Sequence, residues 1–412
     1  MEAATKPPPA RADLVVVGGG FAGLATAIRL AEAEPAARIM LLEAEFVGFG
    51  ASGRNAGLIS PLPAPIWLAT ADRTPEHAWA LRRMNAATHE LAAWLHAVAP
   101  ASSVTPTKLR LEAGGAITGA GLATVASILN RSGIAHTCAT DPRRGRRTIV
   151  DIPAHTIDPY ATVLALAEHA RRLGVTIHEG VRVQAVAETD NGVAVHIVGG
   201  AEVAARAAVV CTNAYASSVQ LPKAPRAKAV RTFMLATQDL DDATLARLPD
   251  GQPFVVEIST AYVYYRRHGR KLIYGGIDKR ITPASDDFAV EPIVLSQLER
   301  HLHRTLAGGF AEVAEAWSGR YHLTATELPQ IEPSGLRGRV ILNVGYGGTG
   351  VALTMICARM AADLALRGAV EDPDERRLLA ALQQTRIPLL GGLRFVAAVV
   401  ATTLGLSRRH DL

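Results

Sequence analysis

Short, continuously apolar runs, each closed by glycine or followed by a helical pattern, organise the first part of the chain. Residues 13–17 (Asp13-Leu14-Val15-Val16-Val17) run into a glycine cluster, as expected of a parallel strand buried on both faces. Residues 21–34 have helical spacing through Leu24, Ala27, Ile28 and Ala31, and Pro35 closes them. Residues 38–43 form a second buried strand, completing one βαβ unit. The pattern predicts helices over 75–98 and 159–173, the second opened by the cap pair Asp158-Pro159. Short strands are expected at 175–177, 181–183, 192–198 and 207–211.

After Leu221-Pro222 the pattern changes to half-buried strands at 232–237, 254–258, 261–266 and 271–274, as in an antiparallel sheet. Helical spacing returns over 292–306, and a last buried strand at 340–344 leads into glycines and a helix. The expected fold class is therefore α/β, with a Rossmann-like dinucleotide-binding domain and an interleaved substrate domain built on a mixed or antiparallel sheet. The expected segments are 12–80, 150–222 and 325–375 for the first domain and 81–149 and 223–324 for the second, with 376–412 as an apolar helical tail.

A hydrophobic fraction of 49% with 20% charged residues excludes a disordered chain. Net charge is only +5 over 412 residues, so no nucleic-acid partner is expected. The basic run Arg143, Arg144, Arg146 and Arg147 reads as a solvated loop or as a contact for an anionic partner. Cys138, Cys211 and Cys357 are too far apart for a disulfide framework or a cysteine zinc site, which fits a reducing compartment. Residues 1–12 lack the pattern of a secretory leader, so a cytoplasmic location is expected. No segment is expected to span a bilayer; the apolar stretch 395–406 reads as a helix packed on the protein, or as a helix docking on a membrane surface or a partner. His301 and His303 sit two apart on a predicted helix and face different ways, so no metal site is expected.

The candidate chemistry begins with Gly18, Gly19, Gly20, Phe21, Ala22 and Gly23, a G-x-G-x-x-G pattern placed between a strand and a helix. Gly18 allows the tight turn, Gly20 lets the backbone approach a pyrophosphate, and Gly23 allows close packing of helix on strand. Glu43 ends the second strand, where a carboxylate accepts the ribose hydroxyls and disfavours a 2′-phosphate. A second glycine-rich loop follows at once, with Ser52, Gly53, Arg54, Asn55, Ala56 and Gly57. It is superfluous for nicotinamide binding and suits a longer ligand; Ser52 offers a hydroxyl to phosphate and Arg54 offsets its charge.

At these residues the chain resembles the FAD-dependent D-amino-acid-oxidase superfamily, in particular the branch of γ-glutamylputrescine oxidase, glycine oxidase and sarcosine oxidase. The resemblance covers roughly residues 12–370. It also rests on Cys211-Thr212-Asn213-Ala214-Tyr215, on Tyr264-Tyr265-Arg266 with Leu272-Ile273-Tyr274-Gly275-Gly276, and on the run from Gly345 to Val351. It implies FAD as cofactor, with Ala44 beside Glu43 in its binding strand, Val183 contacting adenine through its backbone, and Thr212 and Asn213 near the ADP half. Gly347, Gly348, Thr349, Gly350 and Val351 would lie under the isoalloxazine, at the N-terminus of a helix whose dipole favours negative charge. Tyr264, Arg266, Arg320 and Tyr346 are the substrate-side candidates, and Arg54 and Arg320 are possible carboxylate anchors. Trp317, Arg320, Tyr321 and His322 gather just before the last motif, as surface packing or as a ligand site.

The resemblance departs in two places. Residues 317–329 hold no cysteine that could carry a flavin covalently, so FAD is expected to be non-covalent, with Cys357 a buried helix residue. A lysine promoting oxygen reactivity has only Lys271 and Lys279 as candidates. The implied reaction is oxidation of a small amine or amino acid, with hydride leaving Cα–H, the imine hydrolysed by water, and O2 or another acceptor taking the electrons. Apart from Glu43 at the far end, the cofactor motifs carry no histidine or carboxylate placed as a base; His322 is the nearest in sequence. The alternatives are a flavin dehydrogenase of a 2-hydroxy acid or polyol passing electrons to a membrane acceptor through the C-terminal tail, and a non-enzymatic dinucleotide sensor.

Overall fold

The computed structural model describes residues 8–63, 74–113, 116–141, 147–258, 262–280, 288–307 and 309–384. Most of the basic run at 143–147 and the stretch 395–406 thus lie outside the described residues.

The apolar runs assemble into a six-stranded sheet ordered Gln330–Pro333, Val340–Val344, Ala207–Val210, Leu14–Val17, Ile39–Leu42 and Thr176–His178. All neighbours are parallel except Gln330–Pro333, and Val15 lies opposite both Ala208 and Met40. Alternation along the central strand divides the core. Leu14 and Val16 join the helices Phe21–Ala33 and Gly350–Arg367, whereas Val15 and Val17 face a three-stranded antiparallel sheet containing Val186, Val195 and Val203. Helix Pro159–Arg172 starts as its cap pair predicts: Asp158 accepts from the Ala161 amide at 3.0 Å.

A nine-stranded sheet runs Val313–Thr324, Ala227–Thr237, Lys271–Arg280, Val263–His268, Phe254–Ile258, Thr105–Ala113, Arg147–Thr156 and Leu58–Ile59, with Thr137–Asp141 also paired to Arg147–Thr156. Among the described residues of this sheet, only Phe254–Ile258 and Thr105–Ala113 are parallel neighbours. One face, with Phe233, Leu235, Tyr265 and Tyr274, is covered by Val294, Leu298 and Leu302 of helix Pro292–Thr305. The other, with Met234, Tyr264, Ile273 and Trp317, joins the core of the parallel-sheet unit.

Three expectations shift. Arg147–Thr156 belongs to the nine-stranded sheet, so the second contribution to the parallel-sheet unit begins after residue 156 rather than at 150, and Leu58–Ile59 also crosses over. Helix Gly350–Arg367 with the turn before it (347–367) is long and apolar enough to cross a membrane, against the expectation that no segment is. It is 67% buried against the parallel sheet, as a core helix would be. The expected apolar tail begins instead as the amphipathic helix Pro373–Gln384, which buries Leu378 and Leu382 against helix Pro75–Val98 and its surroundings. Arg377 there pairs with Glu76 at 2.7 Å and lies over the Trp79 ring.

Between Thr105–Ala113 and Arg147–Thr156, Arg110 meets Asp151 with a two-pronged pair at 2.7 and 2.8 Å, both side chains largely buried. Removing Asp151 takes both prongs from a largely buried guanidinium. Asp151→Ala is expected to destabilise the protein by about 3 kcal/mol. A urea titration checks this, the midpoint falling at unchanged slope.

Candidate active site

The first glycine motif is built by contact. Gly18 has φ +108, and a Cβ on Gly23 would stand 1.8 Å from the Gly18 carbonyl oxygen, so helix Phe21–Ala33 docks on its strand only with glycine there. That helix opens without a side-chain cap, and the Phe21 amide donates to Ser52 Oγ at 3.0 Å. Its N-terminal amides and Ser52 form one platform for an anion. Glu43 Oε2 accepts from the Gly19 amide at 2.6 Å and Oε1 from the Glu45 amide at 3.1 Å. Burial raises its carboxyl pKa, while these bonds and one from the Ala44 amide oppose the rise. Across the sheet Thr212 Oγ1 is buried and has no hydrogen-bond partner, as expected where a polar ligand completes the site.

Two predicted cofactor residues hold loops together. Asn213 accepts from the Gly345 amide at 3.1 Å, tying the Cys211–Tyr215 run to the Gly345–Val351 run. Asn55 donates to Ala51 and Ser52 and accepts from Gly57, closing its own loop around Gly53 and Ala56. Val183 is buried at the start of its strand, opposite Ile197. Gly347, Gly348 and Thr349 form a 3-10 turn, and Thr349 donates to the Tyr346 carbonyl instead of capping the helix that follows. The N-terminus at Gly350 and Val351 is left open.

The second sheet presses onto these loops. Trp317 Nε1 donates to the Arg54 carbonyl at 3.0 Å, and Leu323 forms an antiparallel bridge with Tyr346. Arg54 lies over Phe49 at 4.9 Å and Phe288 at 4.1 Å, and desolvation lowers its pKa. Arg320 is buried against Tyr215 and the same Phe288. Tyr264 stacks on Phe254 and its hydroxyl reaches Thr232 Oγ1 and Met234 Sδ, each at 3.3 Å. Arg266 donates to the Ile157 carbonyl at 3.4 Å, beside Gly57.

Several predicted roles move. Tyr346 is not on the substrate side: its ring is buried in the core, and its hydroxyl donates to Asn343 Oδ1 at 2.5 Å. Lys271 sits at the hairpin end opposite His268, away from the cofactor loops, and the side chain of Lys279 lies outside the described residues. His322 is 1% exposed and desolvation holds its pKa at about 4, so it is neutral at physiological pH. The residue missed in the sequence is Asp278, whose Oδ2 accepts from Tyr321 Oη at 2.6 Å on the face that carries Tyr264. An aspartate in the run Gly275-Gly276-Ile277-Asp278 has no motif; only the cross-strand register exposes it.

Residues 13–364 match the family described as FAD dependent oxidoreductase. The chain belongs to that family. A probable oxidoreductase, OrdL, of Rhizobium meliloti (strain 1021) is 25% identical, over 97% of this chain and 92% of its own length. The γ-glutamylputrescine oxidoreductase of Escherichia coli (strain K12) is 27% identical, over 87% and 84%. Among solved structures, glycine oxidase from Geobacillus kaustophilus superposes with a TM-score of 0.74 at 20% identity, covering 89% of this chain and 96% of that one. The flavoenzyme fold and the FAD cofactor predicted above thus stand.

The residues present fit FAD. The open helix at Phe21 with Ser52 would hold the pyrophosphate, Glu43 the ribose, Thr212 the ADP half, and the open helix at Gly350 the flavin ring. Cys211 and Cys357 are both buried, and Tyr346 occupies the neighbourhood of Cys357, which leaves no room for a flavin thioether at either. Acid precipitation is therefore expected to leave a colourless pellet and all flavin in the supernatant. Glu43→Ala is expected to weaken FAD binding by about 1–3 kcal/mol, the cost of a lost charged acceptor. Flavin fluorescence on dilution of the two holoproteins measures it.

Proposed function

We propose that this flavoenzyme oxidises a C–N bond of a small amine or amino acid, giving an imine that water hydrolyses, with O2 or another acceptor taking the electrons. The observation that carries the reading is the place where the strand bearing Trp317 and Tyr321 meets the two cofactor loops. It offers aromatic walls and Arg54, a desolvated cation with no carboxylate ion pair among the described residues. A substrate carboxylate would complete Arg54 with charge-assisted hydrogen bonds. Bound FAD supplies the hydride acceptor. The chain's own part is to orient the substrate, exclude water, and leave its nitrogen neutral at the moment of transfer. The names of three similar proteins, γ-glutamylputrescine oxidoreductase, glycine oxidase and L-proline dehydrogenase of P. horikoshii, point the same way.

An anaerobic screen of amines, amino acids and 2-hydroxy acids, followed by bleaching of the oxidised flavin band, tests the reading. Amines or amino acids are expected to bleach it; bleaching by hydroxy acids alone would overturn the proposal. With an accepted amine, the reduction rate is expected to rise with pH to a plateau whose pKa tracks the substrate's. His322 stays neutral well below this range, so the same profile is expected in His322→Gln.

A further inference from the structure

Strand Val313–Thr324 crosses the whole site. Trp317 touches the Arg54 loop, Leu323 bridges to Tyr346 at the other, and Tyr321 lies between them on the same face by alternation. Tyr321 donates to Asp278, and Thr232, the partner of Tyr264, also hydrogen-bonds this carboxylate. Asp278, Tyr264 and Tyr321 each keep part of their surface accessible, on the sheet face that meets the cofactor loops, while most of Asp278 is shielded from water.

The surroundings of Asp278 are neutral or acidic. Tyr264 comes from the neighbouring strand on one side and Tyr262 from just before it, Thr232 from the neighbouring strand on the other side, Tyr321 from the strand beyond that, and Glu327 acts on Tyr321 and Tyr262 from the following loop. Among the described residues no cationic side chain acts on Asp278. A desolvated carboxylate is stabilised by a paired cation, and hydrogen bonds from hydroxyls only partly replace one. Burial accordingly raises the Asp278 pKa against the two hydroxyl bonds.

We propose that Asp278, held by Tyr321 and Thr232 beside the cofactor loops, is the specificity-determining counter-ion for the cationic nitrogen of the substrate. This deepens the reading of the site as amine-oxidising and rests on it. It assigns opposite poles to the site, Asp278 for the nitrogen and Arg54 for a carboxylate, and selects amines that arrive protonated over alcohols and 2-hydroxy acids of the same shape.

The test uses tert-butylammonium, which has no Cα–H and cannot be oxidised, with tert-butanol as neutral isostere and pivalate as anion. Each is titrated calorimetrically into FAD-loaded wild type, Asp278→Asn and Tyr321→Phe. Wild type is expected to prefer the cation to tert-butanol. Asp278→Asn is expected to lose cation affinity by about tenfold to a hundredfold, with no weakening of pivalate binding. Tyr321→Phe keeps the carboxylate and is expected to keep the preference for the cation. Equal cation binding to wild type and Asp278→Asn, or no cation binding to wild type, overturns the inference. If Asp278→Asn does not fold, wild type decides: no preference for the cation over tert-butanol sinks the idea. Cation binding that depends on Asp278, with no amine able to bleach the flavin, supports the inference and defeats only the amine-oxidation reading. Bleaching by amines with cation binding unchanged in Asp278→Asn defeats only the inference.

Discussion

The contact of Trp317 with the Arg54 carbonyl and the bridge of Leu323 to Tyr346 clamp one strand of the large sheet across both cofactor loops. Everything on that strand between them takes its place in the site from this clamp. A strand rises about 3.3 Å per residue, so the six steps from Trp317 to Leu323 span roughly 20 Å. That is the scale of a flavin ring together with a small substrate. Because the clamp uses a backbone carbonyl and a backbone bridge, it tolerates changes of side chain in either loop. Tyr321, and through it Asp278, are fixed relative to the cofactor by sheet geometry and not by the loops' own sequence.

The charge arrangement follows from the same clamp. Arg54 has given up water for the rings of Phe49 and Phe288, an exchange in which each cation–π contact returns about 0.5–2 kcal/mol. Arg320, from the large sheet, lies 5.9 Å from the same Phe288 ring, so one aromatic ring meets two guanidinium groups drawn from different parts of the chain. The site therefore has a cationic wall built from the cofactor loop and a carboxylate built from the substrate sheet. The cationic wall needs both domains, because Arg54 and Phe49 come from the cofactor loop and Phe288 from the substrate domain, whereas the carboxylate is assembled within the large sheet.

What was legible in the sequence was local. Residues 14–17, 207–210 and 340–344 are strands because short, nearly continuous apolar runs rich in valine suit a sheet buried on both faces, and the observed strands match those runs. The glycine motifs were legible because each one's steric requirement lies within a few residues. The strand Arg147–Thr156 was hidden by Pro153, a residue that argues against strand interiors. Val313–Thr324 was hidden by Ser318 and Gly319 in its middle. Asp278 and Tyr321, 43 residues apart, meet only because both strands pair with Ala227–Thr237 from opposite sides. Tyr346 was misread for the reverse reason: it sits next to a cofactor motif in sequence, but its ring turns inward.

That inward turn has its own logic. Tyr346 donates to Asn343, Asn343 donates to Thr26 at 3.2 Å, and Thr26 donates to the Ala22 carbonyl in the first turn of the first helix. The chain of hydrogen bonds thus joins the residue before the second cofactor turn to the helix that begins at the first. Its members are buried, so breaking one link would leave polar atoms without water to replace it, and the low dielectric around them strengthens each remaining bond. Two helix N-termini, at Phe21 and at Gly350, must point at one ligand from different places in the chain, each carrying partial positive charge that would repel the other. A satisfied polar network between them holds that arrangement before any anion arrives, so the site is preorganised from inside the core while its specificity is left to the sheet that closes over it.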